Sequence, residues 1–268
     1  MHPILFHIGP LPVRAYGVLI VLGFLVGLRY VLLQVQRLEE RQGERAGQPL
    51  ITRDHILDMA LIGLALGIVG TRLVFVALHW STFRDNPLDA FKIWTGGLSF
   101  IGGPLFGFGY AWWYCRRRGL PFARVADLAS PGFALGYAIG RVGCFLNGCC
   151  YGRECALPWA VRFHADGVSD VLTPPSHPTQ LYASAMSLVI FVILHRLLRR
   201  PHRDGQIVVA YMTLYAVYRF INDFFRAGVT SRYVAGVLTE GQLIVLIAVP
   251  VLILLWWRLG RRGASASA

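Results

Sequence analysis

The chain has 268 residues, 55% of them hydrophobic and only 15% charged, with a mean hydropathy of +0.53. This composition excludes a disordered chain and argues against a water-soluble domain; it is that of an integral membrane protein. The formal net charge of +12 comes almost wholly from arginine, and the arginines fall between apolar runs, which reads as a topology signal and not as a nucleic-acid surface.

The opening segment, MHPILFHIGPLPVRAYG, has neither the basic start nor the small-residue cleavage site of a secretory signal. Seven apolar runs follow, at 16–36, 56–78, 96–115, 125–143, 179–198, 206–226 and 237–257. Each has about 20 residues, enough to cross a hydrocarbon core of roughly 30 Å. The predicted fold class is therefore all-α: a polytopic membrane protein of about seven helices, one transmembrane domain over 1–268, with a small external head at 144–178. Gly63, Gly67 and Gly70 in the second run suit close helix packing in lipid.

The arginines set an orientation. One set of connecting segments carries Arg37, Arg41, Arg45 and Arg53, then Arg116, Arg117, Arg118 and Arg124, then Arg196, Arg199, Arg200 and Arg203, then Arg258, Arg261 and Arg262. The alternating segments hold only Arg14, Arg84, Lys92, Arg153, Arg162 and Arg232. Positive charge stays inside, so the N-terminus is expected outside and the C-terminus in the cytoplasm, as an odd number of spans requires.

Charges within the runs are functional candidates, because a charge in hydrocarbon costs several kcal/mol. Arg29 and Asp58 lie near helix ends and can snorkel, and Asp127 is expected to complement the dipole at the start of its own helix. Arg72, Arg141 and Arg219 are expected to converge near the outer leaflet. Tyr215, Arg219, Asp223 and Arg226 stand at i, i+4, i+8 and i+11, on one helical face. Two readings are open: an Arg219–Asp223 ion pair that lets both charges sit in a bundle, or an anion site whose natural guest in a membrane is a lipid phosphate.

The glycine-dense GGLSFIGGP at 96–104 is either a packing surface or a place of close approach for lipid or peptide, which makes Gly102 and Gly103 candidates; it lacks the spacing of a phosphate loop. His177 reads as structural. Cys144, Cys149, Cys150 and Cys155 do not match zinc-finger spacing and lack a nearby histidine pair, so disulfides or inert thiols are expected and no metal.

Taken in order, PLPVRAYG, GTRLVF, GGLSFIGG, GRVGCFLNGCCYGR, HPTQLY and YAVYRFINDFFR followed by LTEGQ resemble the bacterial phosphatidylglycerol–prolipoprotein diacylglyceryl transferases. The resemblance implies a seven-helix enzyme of the bacterial cytoplasmic (inner) membrane with its site toward the periplasm. Such enzymes move the diacylglyceryl group of phosphatidylglycerol onto the lipobox cysteine thiol of a prelipoprotein, forming a thioether and releasing glycerol phosphate. The implied partners are phosphatidylglycerol and prelipoprotein signal peptides, with no nucleic acid and no cofactor, and a monomer is expected.

Carried over by position, Tyr16 matches the tyrosine of the first helix, Arg141 and Gly152 the signature arginine and glycine, and Tyr215 and Arg219 those of the sixth helix. Asp223 stands where the family usually has glutamate. The implied catalytic set is Arg141, Arg219, Tyr16 and Asp223; substrate binding falls to Arg141, Gly152, Tyr215, Arg72, Gly102 and Gly103. Three positions depart from the pattern: Ile101 for a common histidine, Cys144 for the signature asparagine and Cys149 for a glutamate. They keep open an impaired member that acts as an anionic-lipid-binding membrane protein, and Cys144, Cys149, Cys150 and Cys155 keep open a membrane thiol–disulfide protein.

Overall fold

The structure, a computed structural model, describes residues 4–8, 11–42, 51–84, 86–91, 97, 99–164, 171–226, 233–234 and 238–261. An antiparallel hairpin, β1 (Ile4–Ile8) and β2 (Leu11–Arg14), leads into helix α1 (Ala15–Gln42). Then come α2 (Arg53–Leu78), the short α3 (Trp80–Phe83), a 3-10 turn (Pro87–Phe91), α4 (Gly102–Arg118), α5 (Phe122–Leu146), α6 (Thr179–Leu198) and α7 (Gln206–Asp223). A two-residue ribbon, β3 (Tyr233–Val234) with β4 (Leu238–Thr239), precedes α8 (Glu240–Arg261).

Every predicted run coincides with a helix. Four of these helices are long and apolar enough to cross a membrane, within Ala15–Glu40, Arg53–Leu78, Thr179–Leu198 and Gly241–Leu259. Large apolar side chains point outward, among them Leu64, Val189, Ile244 and Ile247. Polar ones are buried, including Thr179, Gln180, Ser187, Asn222 and Gln242. A chain that faces hydrocarbon keeps its polar groups for its own interior.

Helix ends differ from the sequence expectation for local reasons. The third run begins at 96, whereas α4 starts at Gly102; Gly97, at a left-handed φ of +73°, lies outside the helix. The seventh was placed from 237, but α8 starts at Glu240. There Thr239 and Gln242 form a reciprocal cap: the Gln242 amide donates to Thr239 Oγ1 at 3.1 Å and the Thr239 amide to Gln242 Oε1 at 2.9 Å.

The chain divides into two compact units, residues 1–31 with 126–268, and residues 32–125. In the first, the Gly23 and Gly27 positions of α1 meet Gly136 and Gly132 of α5 backbone to backbone. Ala134, Ala183, Ile190, Leu194, Ile207 and Tyr218 form the buried core of α5, α6 and α7. In the second unit, Gly63, Gly67 and Gly70 of α2 face Gly107, Gly103 and Gly102 of α4. This is the small-residue seam expected of helices in lipid, where close packing substitutes for a hydrophobic drive. At the end of α4, Arg116, Arg117 and Arg118 lie over the rings of Trp112, Trp113 and Tyr114. Tyr114 donates to Asp58 Oδ2 at 2.8 Å, which gives that carboxylate a partner beyond snorkelling.

Asp127 does not serve its own helix. Its carboxylate accepts from the Gly205 amide at 2.6 Å and the Val208 amide at 2.8 Å, so it caps the N-terminus of α7 from α5. Asp127 is 1% exposed. Asp127→Ala should orphan two N–H groups in a buried place and cost about 2–4 kcal/mol, since each such group is worth roughly 1–3 kcal/mol. A melting curve of the purified variant in detergent checks this; an unchanged midpoint would rule out the cap.

Candidate functional site

The site is built in the first unit from the last turns of α5 and α7, the start of α1 and residues 147–164 and 171–178. Arg141, one turn before the end of α5, is 9% exposed. Its guanidinium lies 5.4 Å over the Tyr137 ring, and Tyr137 meets Tyr215 of α7 edge to face, centroids 5.7 Å apart. Tyr215 in turn packs on Tyr218. An aromatic floor lets a cation remain in a poorly hydrated place. Arg141 Nη1 also approaches Cys144 Sγ at 3.9 Å, while its Nε has no hydrogen-bond partner among the described residues.

On α7, Arg219 Nη2 meets Asp223 Oδ1 at 3.1 Å. Asp223 is buried and Arg219 partly exposed, so the acid is a fixed anchor and the guanidinium keeps a free edge. Arg226 was expected on the same helical face, but α7 ends at Asp223. The chain turns there: the Phe225 amide donates to the Asn222 carbonyl at 3.1 Å and the Arg226 amide to that of Asp223 at 3.4 Å. Arg153 then takes the released carbonyls, its amide donating to Phe225 at 2.8 Å and its Nε to Arg226 at 3.1 Å. The turn places the Arg226 guanidinium within electrostatic reach of both Arg141 and Arg219, and of the Asp223 carboxylate.

Gly152 sits at this junction. Its amide donates to the His177 carbonyl at 2.8 Å and it bridges to Arg226. A Cβ at Gly152 would run into the Phe225 carbonyl and lie 2.7 Å from both His177 Cβ and Thr179 Cγ2. The position therefore demands glycine for packing. His177 packs against Phe225 and its Nδ1 lies 3.2 Å from the Tyr182 hydroxyl, in keeping with a structural histidine.

Cysteine spacing gave no sign of what the loop after α5 does. Gly148 and Cys150 both take left-handed φ, +72° and +63°. The carbonyls of Cys149 and Cys150 are gripped by Gln180 Nε2 at 2.6 Å and Thr179 Oγ1 at 2.8 Å. The outcome is that the sulfurs of Cys144, Cys149 and Cys150 all lie within 4.8 Å of one another, beside Arg141. All five cysteines are free thiols. Hydrogen bonds from Cys144 and Cys149 hold the Cys150 thiol below the usual thiol range, and Arg141 and Arg226 act in the same direction. Tyr16, 41% exposed at the start of α1, is within electrostatic range of the three sulfurs and Arg141.

Beside this cluster lies a cavity of about 340 Å³, lined by Trp159, His177, Tyr182, Met186, Tyr218, Ile221, Asn222 and Phe225 among others. Both polar atoms of the Asn222 amide lack partners among the described residues. Tyr137, Tyr218 and Asn222 escaped the sequence reading, because aromatic and amide residues on an apolar helix give no signal until their neighbours are known.

The remaining candidates belong to the second unit. Arg72 is buried and spends its donors on backbone carbonyls: Nε on Ala90 at 2.7 Å, Nη2 on Asp89 at 2.7 Å and Nη1 on Gly97 at 3.0 Å. Phe75 and Phe83 lie against it. It acts as a clamp on the loop between α3 and α4. Gly102 abuts the Gly70 backbone, Gly103 approaches Thr71 Cγ2, and Ile101 is exposed.

Apolar helices turned outward, with Arg141 buried over the Tyr137 ring and Arg219 and Arg226 nearby, define a multi-pass membrane protein that holds fixed positive charge at the end of its helices. The chain belongs to the prolipoprotein diacylglyceryl transferase family, whose model matches residues 3–258. It is 32% identical over 259 residues to a phosphatidylglycerol–prolipoprotein diacylglyceryl transferase of Vibrio cholerae serotype O1 (strain M66-2), covering 95% of this chain and 90% of that one. Similar relatives of the same name occur in Vibrio vulnificus, 33% identical over 84% of this chain and 78% of that one, and in Photobacterium profundum, 34% identical over 84% and 80%.

Proposed function

We propose that this protein transfers the diacylglyceryl group of phosphatidylglycerol to the lipobox cysteine thiol of prelipoproteins, in the bacterial inner membrane, as a seven-span protein with its N-terminus outside. The observation that carries the reading is the cluster of Arg141, Arg219 and Arg226 with Asp223 as its acid among the described residues, Arg141 seated over the Tyr137 ring: a surplus of partly buried cation fits a phosphate. The relatives' names supply the reaction.

The chemistry follows from the charges. Arg141 and Arg219 hold the lipid phosphate and stabilise the charge that builds on the leaving phosphate oxygen. Asp223 orients Arg219. Tyr16 and Tyr215 offer hydroxyls to the head group or ester. The substrate thiolate attacks the glyceryl carbon that bears the phosphate; the carbon–oxygen bond breaks as the carbon–sulfur bond forms, and glycerol phosphate departs.

The test is direct. Purified protein in detergent, given a lipobox peptide and phosphatidylglycerol, should add the mass of one diacylglyceryl group to the peptide cysteine. No product, with an active relative working alongside, would favour a lipid-binding member that has lost the chemistry.

A further inference from the structure

Resting on the transferase reading, the reaction needs a thiolate, and the groups placed around Arg141 so far give the incoming thiol no obvious activator. Arginines donate, and Asp223 is tied to Arg219. What the structure does bring there is three thiols. We propose that Cys144, Cys149 and Cys150 form a three-thiolate zinc site whose fourth position takes the substrate thiol as a thiolate.

Four observations carry this. The sulfurs lie within 4.8 Å of one another, and a tetrahedral zinc with zinc–sulfur bonds of about 2.3 Å holds its sulfurs about 3.8 Å apart, so a small side-chain rotation closes the site. The loop that presents them is fixed, because Thr179 and Gln180, both fully buried, hold two of its carbonyls. Cys150 stands at a left-handed φ of +63°, where glycine is the ordinary residue, and strain of this kind recurs at active sites and ligand clamps. Finally, burial is graded, with Cys144 buried, Cys149 intermediate and Cys150 exposed. Three protein ligands leave the fourth tetrahedral position open, and the exposed Cys150 side gives a fourth ligand access to it.

The step balances without an oxidant or reductant. On binding zinc the substrate thiol releases its proton to water and becomes a thiolate. The sulfur pair attacks the glyceryl carbon, the carbon–oxygen bond breaks, and its electron pair leaves on glycerol phosphate. The product thioether is neutral and a weak ligand, so it dissociates. Zinc with three thiolates carries one net negative charge, and two with the substrate bound. Arg141, 3.9 Å from Cys144 Sγ, offsets that charge and ties the thiol site to the phosphate site.

The experiment uses the full-length protein, purified under reducing conditions. Elemental analysis should give one zinc per chain. Cys144→Ser, Cys149→Ser and Cys150→Ser should each weaken zinc binding by more than ~100-fold, because losing even an outer hydrogen-bond partner of a ligand costs ten- to a hundredfold. Cys155→Ser should bind as the unaltered chain does. Titration with Co2+ requires no variant: sulfur-to-cobalt charge-transfer absorption should appear, and it should strengthen on adding a lipobox peptide but not its serine analogue. A zinc-free enzyme that still transfers the diacylglyceryl group overturns this proposal and leaves the transferase reading intact. A cobalt spectrum indifferent to the peptide thiol overturns the activating role, and a disulfide among these cysteines in active enzyme overturns the site. A peptide-responsive spectrum with no lipidated product supports the site and overturns the transferase reading.

Discussion

Arg141→Ala should lower diacylglyceryl transfer by about a thousandfold or more while leaving the melting temperature unchanged or higher. Removing a single preorganised donor to a developing oxyanion typically costs 10²–10³ in rate, and Arg141 would contribute both a donor and a full charge. Stability should not suffer. Arg141 is buried within electrostatic reach of Arg226 and pairs with no carboxylate among the described residues, so its removal relieves repulsion between like charges. Arg219→Ala should be as inactive but should also melt earlier, because it strands the Asp223 carboxylate, 6% exposed, without its partner. Arg141→Lys should recover part of the activity, since it keeps the charge and loses the two-pronged donor. Activity is read by peptide mass and stability by melting in detergent. Full activity in Arg141→Ala would remove this residue from the mechanism.

Gly102→Val should separate α2 from α4. A Cβ at Gly102 would fall inside the Gly70 carbonyl and 2.7 Å from Thr71 Cα, and all of those atoms are backbone, which cannot rotate away. Overpacking of this kind costs about 3 kcal/mol, enough to lower the melting temperature by several degrees. Gly109→Val on the same helix meets no atom within 4 Å and serves as the control, with a change below about 1 kcal/mol. If the two variants melt alike, the glycine seam does not hold these helices. The same contact bears on function. Gly102 and Gly103 stood out in the sequence as places where a substrate might approach, and the structure fills that space with α2.

The class of protein and the rough position of each long helix are legible in the residues alone, because apolar runs of about 20 residues between arginine-rich segments leave a chain few alternatives to crossing a membrane. The sequence also put Arg219 and Asp223 one turn apart on one helical face, since helical spacing is a local rule.

Partnerships between distant residues were left to the tertiary structure. Asp127 and Gly205 are 78 positions apart, and nothing near Asp127 says that its carboxylate caps α7. Arg226 is one residue of a helical pattern until Arg153 captures the carbonyls of the turn that ends α7. Arg72 reads as a third anion ligand until three backbone carbonyls claim its donors. The cysteines make the point most clearly. Their spacing matches no metal motif, yet a left-handed turn held by Thr179 and Gln180 from another helix gathers three sulfurs at the arginine site. Periodicity reports which face of an element is buried, whereas the chemistry of a site depends on which faces meet, and that is decided by packing.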